Sequence, residues 1–295
     1  MVLDSPDIPQ IAVGLIVAED GRVLLQHRDD KPDIIDPGVW ALFGGHMDPG
    51  EDAATAFLRE MEEELGWRPR HFEPFGPVEL IIDGKRLISN LFAAHLDVPI
   101  EGLTLGEGQG MGLFAPDTLP ERISKDLPAI FAEFVATNAY RRVRKSWDLM
   151  SATAILVDGQ GRFLLQHRDD KPEIANPGLW GSFGGETEPY ETPGDGFLRE
   201  LQEELGWQPK DYEFYFASPY TPQSGPGSDR PNRQLIYVYA AAVDVPFEQL
   251  TLQEGQGMAF FPPDGLPETT VAAYRDLLQR FAKMEMYKRL VAQAV

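Results

Sequence analysis

Apolar residues along the chain fall into short runs separated by turn residues, and the runs come in two matching series. Ile11–Ala18 and Arg22–Arg28 read as a pair of strands, as do Ser151–Val157 and Arg162–Arg168. The Asp-Gly steps between them suit hairpin turns. A loop rich in Asp, Lys and Pro then leads to a short apolar segment, Trp40–Phe43 or Trp180–Phe183, followed by Gly-Gly and an acidic helix. Further strands are predicted over Leu87–Val98 and Gln234–Val245, and C-terminal helices over about Leu127–Tyr140 and about Glu268–Ala294. Strands and helices intermix without the regular alternation of parallel βαβ folds. The expected class is therefore α+β, an α/β/α arrangement with a mixed sheet.

The two series are copies. Residues 21–70 align with 161–210 without a gap, and 30 of these 50 positions are identical. The register then shifts by seven: Leu103-Thr-Leu-x-Glu107-Gly-Gln-Gly-Met111 recurs as Leu250-Thr-Leu-x-Glu254-Gly-Gln-Gly-Met258. The seven extra residues are expected in the polar stretch 221–232. A period this long is a duplicated domain, not a solenoid repeat. The expected domains are 1–146 and 147–295.

Composition narrows the class. With 43% hydrophobic and 25% charged residues over 295 positions, the chain reads as soluble and globular, large enough for two cores. It has no cysteine, so disulfides and thiolate zinc sites are excluded and a cytoplasmic location is expected. The first residues, Met1-Val-Leu-Asp-Ser-Pro-Asp7, lack the pattern of a signal peptide. No apolar run approaches membrane-spanning length, so no membrane partner is expected. A net charge of −21 argues against binding nucleic acid, whose backbone needs Lys and Arg to displace counterions. The basic run Arg141-Arg142-Val-Arg144-Lys145 reads as a solvated helix end or linker.

The candidate chemistry lies in the acidic helix. Glu60, Glu63 and Glu64, and in the second copy Glu200, Glu203 and Glu204, stand at i, i+3 and i+4, so each trio shares one helix face. Two such charges about 4 Å apart repel by about 4 kcal/mol at an effective dielectric near 20. A cluster like this calls for a counter-charge, and an all-oxygen donor set suits Mg²⁺ or Mn²⁺. Arg59 and Arg199 are the fixed cations placed to orient those carboxylates. Gly45 and Gly185 let backbone amides approach an anionic substrate closely. Gln26-His27-Arg28-Asp29-Asp30-Lys31-Pro32 recurs verbatim at 166–172, and its strand-end Arg28 and Arg168 are candidates for substrate binding. Trp40 and Trp180 read as core or rim aromatics.

The pattern Gly45-x5-Glu51-x7-Arg59-Glu60-Met61-x-Glu63-Glu64-x-Gly66-Trp67, filled again from Gly185 to Trp207, resembles the signature of the Nudix hydrolases. The resemblance covers nearly all of both copies. It implies an α/β/α sandwich in each, tandem duplication of the Nudix fold, and metal-dependent cleavage of a nucleoside diphosphate linked to another group. The products would be a nucleoside monophosphate and phospho-X. The Glu-Gly-Gln at Glu107 and Glu254 is similar to one in MutT-like members, where its Glu serves as metal ligand or base. Glu64 and Glu107, with Glu204 and Glu254, are thus the candidate bases. Two copies could pair as an intramolecular pseudo-dimer, or the chain could form a homo-oligomer.

Nucleotide sugars, ADP-ribose-like compounds and nucleoside triphosphates all remain open as the small-molecule substrate. Pro222, 15 residues past the second signature, has a spacing similar to one in ADP-ribose-cleaving members, but Ile82 holds that place after the first. Phe43 and Phe183 stand where many members have Pro. The second signature carries Pro193, Gly194 and Gly196 inside its helix, and each interior glycine costs about 0.8–1 kcal/mol relative to Ala. The first site is therefore expected to be the stronger catalyst. The rival reading, a nucleotide sensor that binds without turnover, rests on that same weakened helix.

Overall fold

The computed structural model describes residues 8–32, 34, 36–82, 84–220 and 233–294. The seven-residue insertion expected within 221–232, Pro222 and the first seven residues lie outside them. The chain forms two compact units, Met1–Ser146 with Pro189–Thr192, and Trp147–Glu188 with Pro193–Val295.

The first unit runs β1 (Gln10–Val17), β2 (Val23–His27), β3 (Trp40–Ala41), β4 (Phe43–His46), α1 (Ala53–Leu65), β5 (Phe72–Ile82), β6 (Lys85–His95), β7 (Gly110–Phe114), α2 (Leu127–Ala136) and α3 (Asn138–Val143). Among the described residues its strands form one sheet of order β3-β2-β1-β6-β5, with β4 also on β1 and β7 on β2. The β1–β6 pair is parallel and the other pairs are antiparallel, which makes the sheet mixed.

Both faces of β1 are buried, so its sequence reads as a near-continuous apolar run rather than an alternation. Ala12 and Ile16 face α1, packing with Phe57, Met61 and Leu65. Val13, Leu15 and Val17 face α2 and α3, packing with Ile130, Phe131 and Phe134. The result is three layers, α/β/α.

The second unit repeats this with β8 (Leu149–Val157), β9 (Phe163–His167), β10 (Trp180–Gly181), β11 (Gly184–Glu186), α4 (Pro193–Leu205), β12 (Tyr212–Tyr220), β13 (Gln234–Ala242), β14 (Gly257–Phe261), α5 (Ala272–Phe281) and α6 (Glu285–Gln293). The sheet order is β10-β9-β8-β13-β12, again with one parallel pair, β8–β13.

β5, β7, β12 and β14 and the breaks in both C-terminal helices differ from the sequence expectation. β5 was not anticipated because Pro74, Gly76 and Pro77 argue against a strand. It is an edge strand, however, where Pro is tolerated, and its register shifts between Pro74 and Gly76. The expected helix 127–140 is broken at Thr137, whose extended backbone and hydroxyl cap α3 by accepting the Tyr140 N–H. The expected helix 268–294 starts only at Ala272, because Thr270 bridges to Trp180, and it breaks at the extended Met284. Each C-terminal helix pair is pinned to the hairpin opposite by a tyrosine: Tyr140 Oη donates to Gly21 O at 2.8 Å, and Tyr287 Oη to Gly161 O at 2.6 Å.

Candidate active site

The acidic helix is started and stopped by its own sequence. Asp52 accepts hydrogen bonds from Ala54 N and Thr55 N, an N-cap, and Gly66 ends α1 in the left-handed region at φ 59°. The loop that follows β6 then docks on the helix end: Thr104 N donates to Leu65 O and Gly106 N to Glu64 O, at 2.9 and 2.8 Å. Gly106 packs closely on Glu63 O, while in the second unit Gln253 holds the same place and its N–H donates to Glu204 O at 2.8 Å. This docking brings Glu107 beside the carboxylates of α1.

Within the helix the carboxylates divide into two groups. Arg59 Nη1 donates to Glu60 Oε1 at 2.7 Å and to Glu63 Oε2 at 3.3 Å. Its other nitrogens bind Glu51, at 3.1 and 3.0 Å, and the His46 carbonyl, at 2.9 Å. Glu51 also accepts from Asp48 N, so it braces the turn before the helix. Glu64 points the other way. It is buried, and its Oε2 accepts from Gly44 N at 2.6 Å. Its Oε1 lies 3.3 Å from Gln26 Nε2, and the same amide nitrogen lies 3.2 Å from Glu107 O.

The Gly-Gly pair is dictated by these contacts. Gly44 has φ 127°, and a Cβ there would collide with Ala12 O. At Gly45 a Cβ would lie 2.6 Å from Glu60 Oε2, so the Glu60 carboxylate rests directly on the glycine backbone.

Electrostatics follow from this packing. Burial raises the Glu64 pKa to about 7, and the neighbouring Glu60 and Glu107 charges push the same way, against the Gly44 N–H and Gln26 bonds. Burial also raises Glu60, a shift opposed by Arg59. Glu63 and Glu107 are exposed.

The second unit reproduces the arrangement. Gly184 N donates to Glu204 Oε2 at 2.7 Å, and Gln166 Nε2 reaches Glu204 Oε1 at 3.0 Å and Glu254 O at 3.2 Å. Arg199 Nη1 binds Glu200 and Glu203 at 2.8 and 3.1 Å. The Glu200 carboxylate covers Gly185 as Glu60 covers Gly45. Burial raises Glu204 to about 7 as well. The glycines of the second signature do not shorten its helix: α4 spans 13 residues, as α1 does.

The sequence placed Glu60, Glu63, Glu64, Glu107 and Arg59 in one site, and the structure brings them together with one qualification of geometry. Among the described residues no three acidic or histidine side chains already close around a metal position. Arg59 holds Glu60 and Glu63 on one side, while Gly44 and Gln26 hold Glu64 on the other. The donor set nevertheless suits a hard divalent ion. It is all oxygen, and Glu64 is a buried carboxylate whose hydrogen-bond partners here, Gly44 and Gln26, are uncharged.

Arg28 and Gly44 both line a cleft between the sheet and α2. Its counterpart Arg168 donates Nε to Ala175 O at 2.8 Å. Trp40 and Trp180 stack on His27 and His167, with ring centroids 4.9 Å apart in both pairs.

Gln26 and Gln166 were not singled out from the sequence. The available signal was a polar residue inside an apolar strand run, repeated verbatim in both copies.

A model of the NUDIX domain matches residues 8–124 and again residues 148–281. The chain is 30% identical over 122 residues to a MutT-like protein of Streptomyces ambofaciens, covering 41% of this chain and 73% of that protein. It is 39% identical over 54 residues to the CTP pyrophosphohydrolase of Escherichia coli (strain K12), covering 18% of this chain and only 38% of that protein. Among solved structures it is similar to the MutT protein from Methanosarcina mazei Go1, at 24% identity and a TM-score of 0.41, over 45% of this chain and 99% of that one.

Proposed function

The chain belongs to the Nudix family, and from that premise we propose that it is a divalent-metal-dependent hydrolase of nucleoside diphosphate-X compounds with a site in each unit. The observation that carries this reading is the pair of matching carboxylate sites, each with one buried Glu tied to the glycine turn and to the Glu-Gly-Gln loop.

Glu60, Glu63 and Glu64, with Glu107, would hold Mg²⁺ or Mn²⁺, as would Glu200, Glu203 and Glu204 with Glu254. When bound, the ion supplies neutralisation of the charge that develops on the phosphoryl oxygens. Arg59 and Arg199 fix the outer carboxylates through shared guanidinium bonds. Glu64, with a pKa near 7 in the metal-free protein, is suited to accept a proton from water near neutral pH, and so is Glu204. Glu107 and Glu254 remain the alternative bases. Gly45 and Gly185 give the diphosphate a close approach to backbone, and Arg28 provides a cation beside it. The substrate is a small nucleotide.

The test is nucleoside monophosphate release with Mg²⁺ over a nucleotide panel, using wild type, Glu64→Gln, Glu204→Gln and the double variant. Partial loss in each single variant and complete loss in the double variant is the expected result. Tight nucleotide binding by a wild type that turns nothing over would sink the hydrolase reading.

A further inference from the structure

The Glu107 carboxylate is aimed by its backbone. Among the described residues no hydrogen bond or ion pair holds the carboxylate itself; it is the Glu107 carbonyl that is bound, by Gln26 Nε2. Where the carboxylate points therefore depends on how the chain is held on either side of it.

Before it, Gly106 N donates to Glu64 O near the end of α1, at 2.8 Å. After it, the chain turns at Gly108, whose φ is 86°, and runs against the end of β2. A Cβ at 108 would lie 2.7 Å from His27 O, so the glycine permits the close approach. Gln109 then grips the strand end twice. Its N–H donates to His27 O and its side-chain Nε2 to Arg28 O, both at 2.7 Å. Any residue but Pro can make the first bond. The second needs a donor at this reach: Asn is one methylene short, and Glu would turn an acceptor toward a carbonyl oxygen.

The strand end that Gln109 grips is itself fixed. Arg28 N donates to Val39 O and Gly38 N to Asp29 O, each at 2.9 Å. Gln109 thus sets the turn that carries Glu107 in register with the strand end that carries Arg28.

The second unit repeats the clamp. Gly255 has φ 87°, and Gln256 donates its N–H to His167 O and its Nε2 to Arg168 O, both at 2.7 Å. It does so although the residue before the Glu differs, Gly106 in one unit and Gln253 in the other. The side-chain bond is exposed in both, where water replaces a lost partner at small cost. Folding stability therefore accounts for little of it, and what remains is the position of the Glu.

We propose that Gln109 and Gln256 are positioning residues that act through Glu107 and Glu254, holding each carboxylate toward the ion site of its acidic helix. This rests on the hydrolase reading of those sites.

The experiment uses the full chain with Glu204→Gln, so that the first site is read alone. Gln109→Met keeps the length and removes the donor. It is compared with Glu107→Gln and with the double variant in two measurements. One is Mn²⁺ affinity without nucleotide, and the other is kcat and KM with Mg²⁺ for the best-cleaved nucleotide of the panel. Gln109→Met should weaken Mn²⁺ binding and lower kcat, each about tenfold, the worth of about one hydrogen bond, with KM unchanged. In the Glu107→Gln background the same change should do nothing further, because the group it positions is gone. A tenfold loss in both backgrounds, or no loss in either, would overturn the proposal and leave the hydrolase reading standing. Should Gln109→Met fail to fold, the same cycle at Gln256 and Glu254, with Glu64→Gln as background, decides it. A wild type that turns over no nucleotide would overturn the hydrolase reading, while the Mn²⁺ cycle still decides the clamp.

Discussion

Gln26 Nε2 lies 3.3 Å from Glu64 Oε1 in the first unit, and Gln166 repeats the contact to Glu204 at 3.0 Å. Because the same amide also reaches the carbonyl of Glu107 or Glu254, one neutral side chain fixes the buried carboxylate relative to the loop that carries the other. Gln26→Met keeps the volume and removes the donor. A hydrogen bond to a charged group contributes about 1.5–3 kcal/mol. In a Glu204→Gln background, kcat should therefore fall by about one to two orders of magnitude, and the melting temperature should fall as well because a buried acceptor loses its donor. Unchanged kcat would show that the loop positions itself.

The raised pKa of Glu64 sets a pH dependence in the metal-free protein. Its ordinary value is 4.5 and its folded value is about 7, so the folded state binds the proton more tightly than the unfolded chain does. The stability this confers is fully present below about pH 4.5 and is lost as pH rises through about 7. The same holds for Glu204. At about 1.4 kcal/mol per tenfold change in proton affinity, each ionisation costs about 3 kcal/mol. Glu64→Gln removes one such group. Its melting temperature relative to wild type should rise between pH 5 and pH 8, measured in chelator, and the gap should narrow when Mg²⁺ is added. A gap independent of pH would show that Glu64 ionises without cost.

Gly44 and Gly45 are adjacent in sequence and should respond differently to alanine. At Gly44 the new Cβ meets the backbone of β1 at a φ that L-residues avoid, so Gly44→Ala should destabilise the fold by several kcal/mol. At Gly45 it meets only the far end of the Glu60 side chain, which can swing away. Gly45→Ala should keep its melting temperature and lose activity, because Glu60 is displaced. Thermal unfolding and steady-state kinetics on the two variants separate these effects, and equal destabilisation would contradict the geometry.

What the sequence made legible was whatever depends on spacing within one element. The carboxylates share a face because they are one helical turn apart, and the strands of β1 and β8 follow from apolar runs between turn residues. What it hid depends on contacts between elements. Gln26 looks like any polar residue until β2 places it between α1 and the 104–109 loop. β5 looks unlike a strand because the tolerance of an edge for Pro74 and Pro77 is a property of the sheet, not of the segment. Thr137 breaks a helix of good propensity by capping the next one.

Gly194 makes the same point as a prediction. In α4 a glycine reads as a weakness, and replacing it with alanine ordinarily stabilises a helix by about 0.8–1 kcal/mol. Here a Cβ at 194 would lie 2.7 Å from Tyr212 Oη on β12, whereas the first unit pairs Ala54 with Phe72 at the matching positions. The glycine is thus the partner of a hydroxyl, and the two changes should couple. Gly194→Ala alone should be neutral or destabilising by about 1 kcal/mol. Adding Tyr212→Phe, which removes the clashing atom, should release the helix gain, so that the double variant is more stable than the sum of the single changes. Denaturant unfolding of the four species closes the cycle. Strict additivity would mean that Tyr212 does not constrain position 194.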